Sequence, residues 1–262
     1  MAQTREPAVA GMFYPGSAGT LKATVERHLE PAPASGPVPR ALVVPHAGYV
    51  YSGPVAGKAY SRIVPAYNTI RTVLLLGPSH RIPFRGLALS SASAFRTPLG
   101  LVPVERKLCD TLSALSAVYV FDAAHAQEHS LEVQLPFLQV VLANFSIVPV
   151  VTGEATAADV AQLIEAFWPT PASLVVISTD LSHYLSYEEA CVTDESTARA
   201  IESFAADEID TYDACGAVGL RGMLLFAKRQ GLTVERIDVR NSGDTAGPKD
   251  RVVGYGAFAF YE

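Results

Sequence analysis

Histidines follow strand-like segments at several points of this sequence. Three of the six histidines come shortly after apolar runs rich in β-branched residues, and these are His46, His80 and His183. Imidazole is the commonest side-chain ligand for borderline metals such as iron, copper and zinc, and it exchanges protons near neutral pH. Three histidines in equivalent positions therefore predict one shared metal or catalytic site.

A fourth histidine and two carboxylates are candidates for the same site. His129 precedes a predicted helix in the segment Glu128-His129-Ser130-Leu131-Glu132. A metal-bound histidine needs an acceptor for its second ring N–H, because that acceptor fixes the tautomer. Asp180 and Glu132 each lie three residues from a site histidine and are the predicted acceptors, with Asp180 and His183 placed on one turn. The alternative for Asp180 is a helix N-cap directly after its strand.

The two remaining histidines are predicted outside the site. His125 and His129 have the i,i+4 spacing of a helical zinc pair, but the residues between them do not give HExxH. We therefore predict that His125 lies in a loop. His28 is predicted on the exposed face of an amphipathic helix.

The elements that must position these residues can be predicted from apolar patterns. Core strands are predicted at 41–45, 72–76, 146–151 and 174–178, with further strands at 87–91, 101–104, 234–239 and 252–260. Helices are predicted at 21–29, 53–63, 107–115, 131–143, 157–168, 188–204 and 218–228, and a surface loop at 31–39. The alternation predicts an α/β fold, with a mostly parallel central sheet and helices on both faces, in one domain over residues 1–262. Ligands bind outside the carboxyl ends of the strands of such sheets.

Composition excludes several classes of protein. With 262 residues, 49% of them hydrophobic and 18% charged, the chain can bury a large core and is not a disordered sequence. A net charge of −6 without a Lys/Arg cluster argues against a nucleic-acid partner. No signal peptide or long apolar stretch indicates export or a membrane span, and an odd number of scattered cysteines is typical of a reducing cytoplasm. No GxxxxGK[ST] or GxGxxG motif supports a nucleotide site.

The motifs, taken together in order, resemble the Memo family over essentially the whole chain. This family is named for the mediator of ErbB2-driven cell motility, and its bacterial and archaeal members belong to the AmmeMemoRadiSam gene grouping. The matching segments are Ala10–Tyr14, Pro45–Tyr49 with Ser52-Gly53, Leu76–His80, Phe95–Leu99, Glu128–Glu132 with Leu135-Pro136, Ser178–Tyr184 and Cys215-Gly216. Any one of these segments alone would be weak, whereas their order is specific.

The resemblance implies a fold similar to that of class III extradiol dioxygenases, in which two histidines and a glutamate hold Fe(II). By this resemblance His46 and His80 fall on the two ligand histidines, and Cys215 falls where the Memo family places a cysteine. His183 falls on the acid/base histidine, and His129 and Asp180 line the same pocket. The family also implies a functional link to an AMMECR1-domain protein and a radical-SAM protein.

Three functions remain open at this point. The first is a metal-dependent, dioxygenase-like oxidoreductase that acts on an unknown small substrate, with iron as the first choice of metal and copper or zinc as alternatives. The second is a non-enzymatic copper- or iron-binding or scaffold protein, because a thiolate ligand makes the site softer than a carboxylate would. The third is a hydrolase that uses Cys215 with His183, although no GxSxG motif occurs. Cys109 and Cys191 are predicted to be buried, inert cysteines.

Overall fold

The structure is a computed structural model that describes residues 3–31 and 36–262 of the chain. Its strands are β1 Thr4–Arg5, β2 Ala41–Val44, β3 Thr72–Pro78, β4 Leu87–Leu89, β5 Ala94–Thr97, β6 Gly100–Pro103, β7 Val118–Val120, β8 Ser146–Thr152, β9 Ser173–Ser178, β10 His183–Leu185, β11 Thr233–Asn241 and β12 Val252–Tyr261. Its helices are α1 Ala18–His28, α2 Tyr49–Ser61, α3 Arg106–Leu112, α4 Asp122–Ala126, α5 Leu135–Val141, α6 Ala157–Phe167, α7 Tyr187–Glu202 and α8 Ala217–Gln230. Part of the predicted loop at 31–39 lies outside the described residues.

A nine-stranded sheet forms the centre of the fold. Its strand order is β10-β12-β2-β9-β3-β8-β4-β7, with β11 paired to β12. The strands β2, β9, β3 and β8 run parallel to one another, and β12 and β4 flank them in antiparallel orientation. A separate three-stranded sheet has the order β1-β5-β6. The predicted α/β class is confirmed, with the parallel pairing concentrated in the centre of the large sheet.

The central strands are mostly apolar and almost fully buried, because both faces of the sheet are covered. Every residue of β2, β3 and β9 is buried, and so is every residue of β8 after its first. Continuous Val, Leu and Ile runs of this kind are typical of buried parallel strands. Helices α1, α2 and α5 pack together as one group, and α3, α6 and α8 as another. The continuous apolar runs of the sequence were therefore sufficient to locate the central strands of the core.

Three of the central strands end at one level of the sheet. Strand β9 lies between β2 and β3, with Val44 opposite Ser178 and Leu76 opposite Ile177. The segments that follow these strands consequently emerge side by side. This edge is where the polar residues singled out above are found.

Several short elements differ from the predictions. Strands β1, β5, β7 and β10 were not predicted, and His125 lies in helix α4 instead of a loop. The predicted helix at 131–143 begins as a 3₁₀ turn at Glu132–Gln134, and α5 then starts with a proline in its first turn. Elements of two to five residues carry too little periodic pattern to be recognised, and their pairing partners lie far away in sequence.

Helix α1 packs closely on α2, and this contact corrects the position expected for His28. A Cβ atom on Gly57 of α2 would overlap the backbone carbonyl of His28, and one on Gly53 would overlap its ring. His28 is therefore half-buried between the two helices and not on an exposed face. Burial lowers its pKa. The close approach explains why these two positions of α2 are glycine.

Among the described residues, no helix combines the length and the apolar character needed to cross a membrane. The prediction that residues 1–262 form one domain stays a prediction.

Candidate metal centre

Two histidines and a cysteine converge at the carboxyl edge of the sheet. His46 follows β2, His80 follows β3, and Cys215 lies two residues before α8. Each of the three side chains offers one potential ligand atom, and these atoms all lie within 4.8 Å of one another. Cys215 Sγ is 3.4 Å from His46 Nε2, and the two imidazole centroids are 5.2 Å apart. A single metal ion has typical bonds of about 2.0–2.3 Å to such ligands, so modest side-chain shifts would bring all three into contact with it.

His46 is held by one contact to its ring and one hydrogen bond from its backbone. Its Nδ1 atom lies 2.9 Å from the hydroxyl oxygen of Ser178, the last residue of β9. Its backbone N–H donates to Asp180 Oδ1 at 2.7 Å. The residue is only 1% exposed, and this burial lowers the pKa of the imidazole well below its usual value. His46 is consequently neutral near pH 7 and can offer a lone pair to a cation.

His80 is the candidate ligand that reaches solvent, and it is anchored by a carboxylate. Its side chain is 29% exposed. Its ring Nδ1–H donates to Glu128 Oε1 at 2.9 Å, and its backbone N–H donates to Glu128 Oε2 at 2.6 Å. Glu128 Oε1 also accepts the backbone N–H groups of His129 and Ser130, at 2.8 and 2.9 Å. Burial alone would raise the pKa of Glu128, but these bonds from His80 and the backbone lower it to about 2.

His80, Glu128 and His129 form a second group whose potential ligand atoms lie within 4.8 Å of one another. The two carboxylate oxygens of Glu128 already accept four N–H groups, so a metal there would have to displace hydrogen bonds that hold the loop together. In the group of His46, His80 and Cys215, a metal would replace only the 3.4 Å contact between Cys215 Sγ and His46 Nε2. We therefore interpret Glu128 as the anchor of His80 rather than as a ligand.

Glu132 does not have the role predicted for it. Its buried carboxylate forms an ion pair with Arg5 and accepts the backbone N–H groups of Ala8 and Val9, at 2.7 and 3.0 Å. Arg5 also donates to the backbone carbonyl of His125 at 3.0 Å. Glu132 thus fastens the N-terminal segment to the segment that carries Glu128 and His129. In the structure the carboxylate that accepts a ring N–H of a site histidine is Glu128, four residues earlier in the chain than the predicted Glu132.

His129 and Asp180 lie next to the candidate ligands His80 and His46. The ring of His129 stacks on that of His80 with centroids 4.6 Å apart, and Phe13 packs on it at 4.8 Å. Burial lowers the pKa of His129 to about 4. Asp180 is buried beneath the loop after β2, and this burial raises its pKa to about 7 although it accepts the His46 N–H. Asp180 is neither a helix N-cap nor the acceptor of a ring N–H.

His183 occupies the edge of the site. It is the first residue of β10 and pairs with Val253 of β12, so Asp180 and His183 do not share a helical turn as predicted. The residue is half-buried, and burial lowers its pKa. Its side chain makes no hydrogen bond to His46, His80 or Cys215 among the described residues.

Cys215 is distinguished from the other two cysteines by its surroundings. Its Sγ accepts the backbone N–H of Asp180 at 3.3 Å. Burial, followed by the charge of Asp180, raises the pKa of the thiol to about 12. Cys109 is buried as predicted, whereas Cys191 is exposed and the prediction that it is buried was wrong.

Ser178 and Gln134 were not recognised from the sequence, although both left a signal. Each is a polar residue inside an apolar segment, and both are fully buried. Gln134 Nε2 donates to Ser178 Oγ at 2.8 Å, which places the pair directly behind His46. Buried polar residues of this kind need partners, so their presence in a core segment indicated a polar network nearby.

Comparison with known proteins identifies the family of this chain. A family model described as "Memo-like protein" matches residues 5–259. A protein named "MEMO1 family protein" from Aquifex aeolicus is 35% identical over 268 residues, which cover 97% of each chain. A protein of the same name from Archaeoglobus fulgidus is also 35% identical, over 98% of this chain and 99% of its own.

A solved structure has a similar fold. It is an uncharacterized protein from Escherichia coli K12, JW3007, with a TM-score of 0.54 and 12% sequence identity. The alignment covers 83% of this chain and 98% of that one. At this level of identity the similarity concerns the fold alone.

Proposed function

We propose that this chain, which belongs to the Memo family, binds a transition-metal ion through His46, His80 and Cys215. The observation that carries the proposal is the convergence of the three potential ligand atoms within 4.8 Å at the carboxyl edge of the sheet. Both imidazoles are anchored through Nδ1, which leaves each Nε2 available. Iron is the first candidate, and copper and zinc also suit two imidazoles and a thiolate.

We further propose that the site serves a metal-dependent, dioxygenase-like oxidoreductase that acts on a small oxidisable substrate. A bound redox-active metal would supply electron transfer and Lewis acidity. His129 and His183 are the imidazoles proposed for proton transfer, because neither is needed as a ligand. The exposed side of His80 gives a substrate access to the ligand group. Asp180 holds the loop of His46 in place through the backbone N–H.

The metal content of the purified protein tests the ligand assignment. We expect about one equivalent of transition metal in the wild type, and losses of at least about tenfold in His46→Ala, His80→Ala and Cys215→Ser, since each removes one of three ligands. Cys191→Ser is the matched control, because Cys191 is an exposed cysteine outside the group. Elemental analysis before and after loading with Fe(II), Cu(I) or Zn(II) gives the answer. A wild type that retains none of these metals would refute the proposal.

Oxygen uptake separates the enzyme from the second candidate, a non-enzymatic copper- or iron-binding protein. The thiol of Cys215 favours this candidate, because sulfur ligands stabilise Cu(I) and suppress redox cycling. For the enzyme, we expect protein loaded anaerobically with Fe(II) to consume oxygen with catechols or other reduced aromatics, at rates that fall to background in His46→Ala. Full metal loading without uptake above that variant, for every metal and substrate tried, would instead support the binding protein.

The third candidate, a hydrolase, has no support from the geometry. Cys215 Sγ lies 3.4 Å from His46 Nε2 and has no hydrogen bond to His183 among the described residues, and burial raises the pKa of the thiol to about 12. An activated nucleophilic cysteine requires the opposite shift. The cytoplasmic location and the link to AMMECR1-domain and radical-SAM proteins stay predictions.

A further inference from the structure

A chain of buried polar side chains runs behind His46. Tyr60 of α2 donates its O–H to Gln134 Oε1 at 2.9 Å. Gln134 Nε2 donates to the backbone carbonyl of Pro45 at 3.0 Å and to Ser178 Oγ at 2.8 Å. Ser178 Oγ in turn lies 2.6 Å from the carbonyl of Ser130 and 2.9 Å from His46 Nδ1. All three side chains are inaccessible to solvent, so the chain cannot exchange its partners with water.

The direction of each hydrogen bond follows from the backbone carbonyls, which only accept. The carbonyl of Pro45 requires a donor, so the amide group nearest to it is the nitrogen of Gln134. The carbonyl of Ser130 likewise takes the single hydroxyl proton of Ser178. Ser178 Oγ then has only lone pairs for its other neighbours. The 2.9 Å contact with His46 is therefore a hydrogen bond only when Nδ1 carries a proton.

We infer that Ser178 and Gln134 are positioning residues that hold His46 as the Nδ1–H tautomer, with the lone pair of Nε2 directed towards Cys215. The inference deepens the proposed function. It rests on that function only for one consequence, which is that the metal site is ordered before a metal binds. Ser178 contacts the ring of His46 directly, and Gln134 acts on it through Ser178. Their role is to fix its tautomer and its rotation.

The two candidate ligand histidines obtain the same tautomer from different acceptors. The exposed His80 donates its Nδ1–H to a carboxylate, Glu128, while the buried His46 donates to a neutral hydroxyl. A carboxylate behind His46 would have to be buried and paired at high cost, whereas a serine oriented by an amide needs no counter-charge. The chemistry of the two anchors thus matches the burial of the two rings.

Nitrogen NMR on metal-free protein tests the tautomer directly. In protein with ¹⁵N-labelled histidine side chains, long-range ¹H–¹⁵N spectra distinguish a protonated ring nitrogen from one with a lone pair. We expect the wild-type His46 to show protonated Nδ1 and unprotonated Nε2, and Ser178→Ala to lose this single state. A wild-type His46 with the proton on Nε2 would overturn the inference, whatever metal the protein binds.

Cobalt affinity tests the consequence. With Co(II) as the probe, measured by its visible spectrum against a competing chelator, we expect Ser178→Ala to bind about 10–100-fold more weakly than wild type. Gln134→Met should weaken binding in the same direction, and Ser178→Thr, which keeps the hydroxyl, should restore it. Ser90→Ala removes an equally buried hydroxyl whose partner, Asp122, lies outside the site, and should leave the affinity unchanged.

The two experiments distinguish a failure of this inference from a failure of the proposed function. Wild-type protein that binds no Co(II) refutes the proposed function, while the tautomer measured without metal still decides the present inference. Equal Co(II) affinities for wild type, Ser178→Ala and Gln134→Met would overturn the positioning role even though the metal site stands.

Discussion

Asp194 is a buried carboxyl group behind the loop that carries Asp180 and His183. It lies on α7, is 2% exposed, and accepts the backbone N–H of Ser182 at 3.0 Å through Oδ1. Its Oδ2 is buried without a hydrogen-bond partner among the described residues. A Cβ atom on Gly254 of β12 would overlap this carboxyl, so the glycine leaves space for it. Burial, the largest cause, raises the pKa of Asp194 to about 6.

We expect Asp194 to make the stability of the protein pH-dependent. Since the folded pKa lies about two units above the usual value, the folded state binds this proton more tightly than the unfolded state does. The free energy of unfolding should therefore fall as the pH rises from about 4 to about 6, by about 3 kcal/mol from this group. Asp194→Asn removes that contribution, which urea unfolding of both proteins at several pH values would measure.

Glu188→Gln, an exposed change on the same helix, is the control for this comparison. It should leave the shape of the pH profile as in the wild type. If the profiles of the wild type and Asp194→Asn run parallel between about pH 4 and 6, the carboxyl does not titrate in the way the burial implies.

Residue type and position indicated which side chains are candidates for the site, but not which hydrogen-bond partner each of them has. Histidines after buried strands and a cysteine at a family position predict His46, His80 and Cys215 as ligands, and the potential ligand atoms of these three lie within 4.8 Å of one another. Glu132 was predicted to be the acceptor of a site histidine because it lies three residues from His129, and spacing along the chain was the only guide. In the structure Glu128 is the acceptor for His80, across 48 residues of sequence, and Glu132 is taken by Arg5. Glu128 and Glu132 are close in sequence but have different partners, and the fold determines which partner each carboxylate has.

The strands and helices explain why the site could be located at all. Long, fully apolar runs identified β2, β3, β8 and β9, and their parallel arrangement follows from the helices between them. The sequence did not reveal that β9 inserts between β2 and β3. That insertion brings Ser178 beside His46 and Asp180 beneath it. Strand order depends on contacts between distant segments, so a local pattern does not encode it.

The position of Cys215 could not be predicted from the pattern of strands and helices. It does not end a core strand, but lies in the turn before α8, where Gly216 is the N-cap. A Cβ atom on Gly216 would contact Thr179, so the turn can approach the loop after β9 only because this residue is glycine. Composition and periodicity gave no reason to bring this turn to the strand ends. Only the family resemblance pointed to it.

The N-terminal segment contacts two of the segments that surround the site and so connects them to each other. Arg5 pairs with Glu132 in the interior, and the carbonyl of Phe13 accepts the backbone N–H of Tyr49 at 2.8 Å. The segment thus contacts both the loop after β2 and the segment of His129, and the ring of Phe13 packs on His129. Residues from the start, middle and end of the chain therefore meet at one site. Any ligand that binds there binds the folded state alone.

Metal binding should consequently stabilise the whole fold. A ligand that binds only the folded state adds about 2.7 kcal/mol at a free concentration of 100 times its Kd. For a chain of this size we expect the Tm of metal-free protein to rise by about 5–10 °C when Zn(II) or Co(II) is added to that level. Calorimetry over a series of metal concentrations should show the rise growing with the logarithm of the concentration. Cys215→Ser should show little of it, whereas Cys191→Ser should match the wild type. Equal shifts in both variants would mean that the metal binds elsewhere.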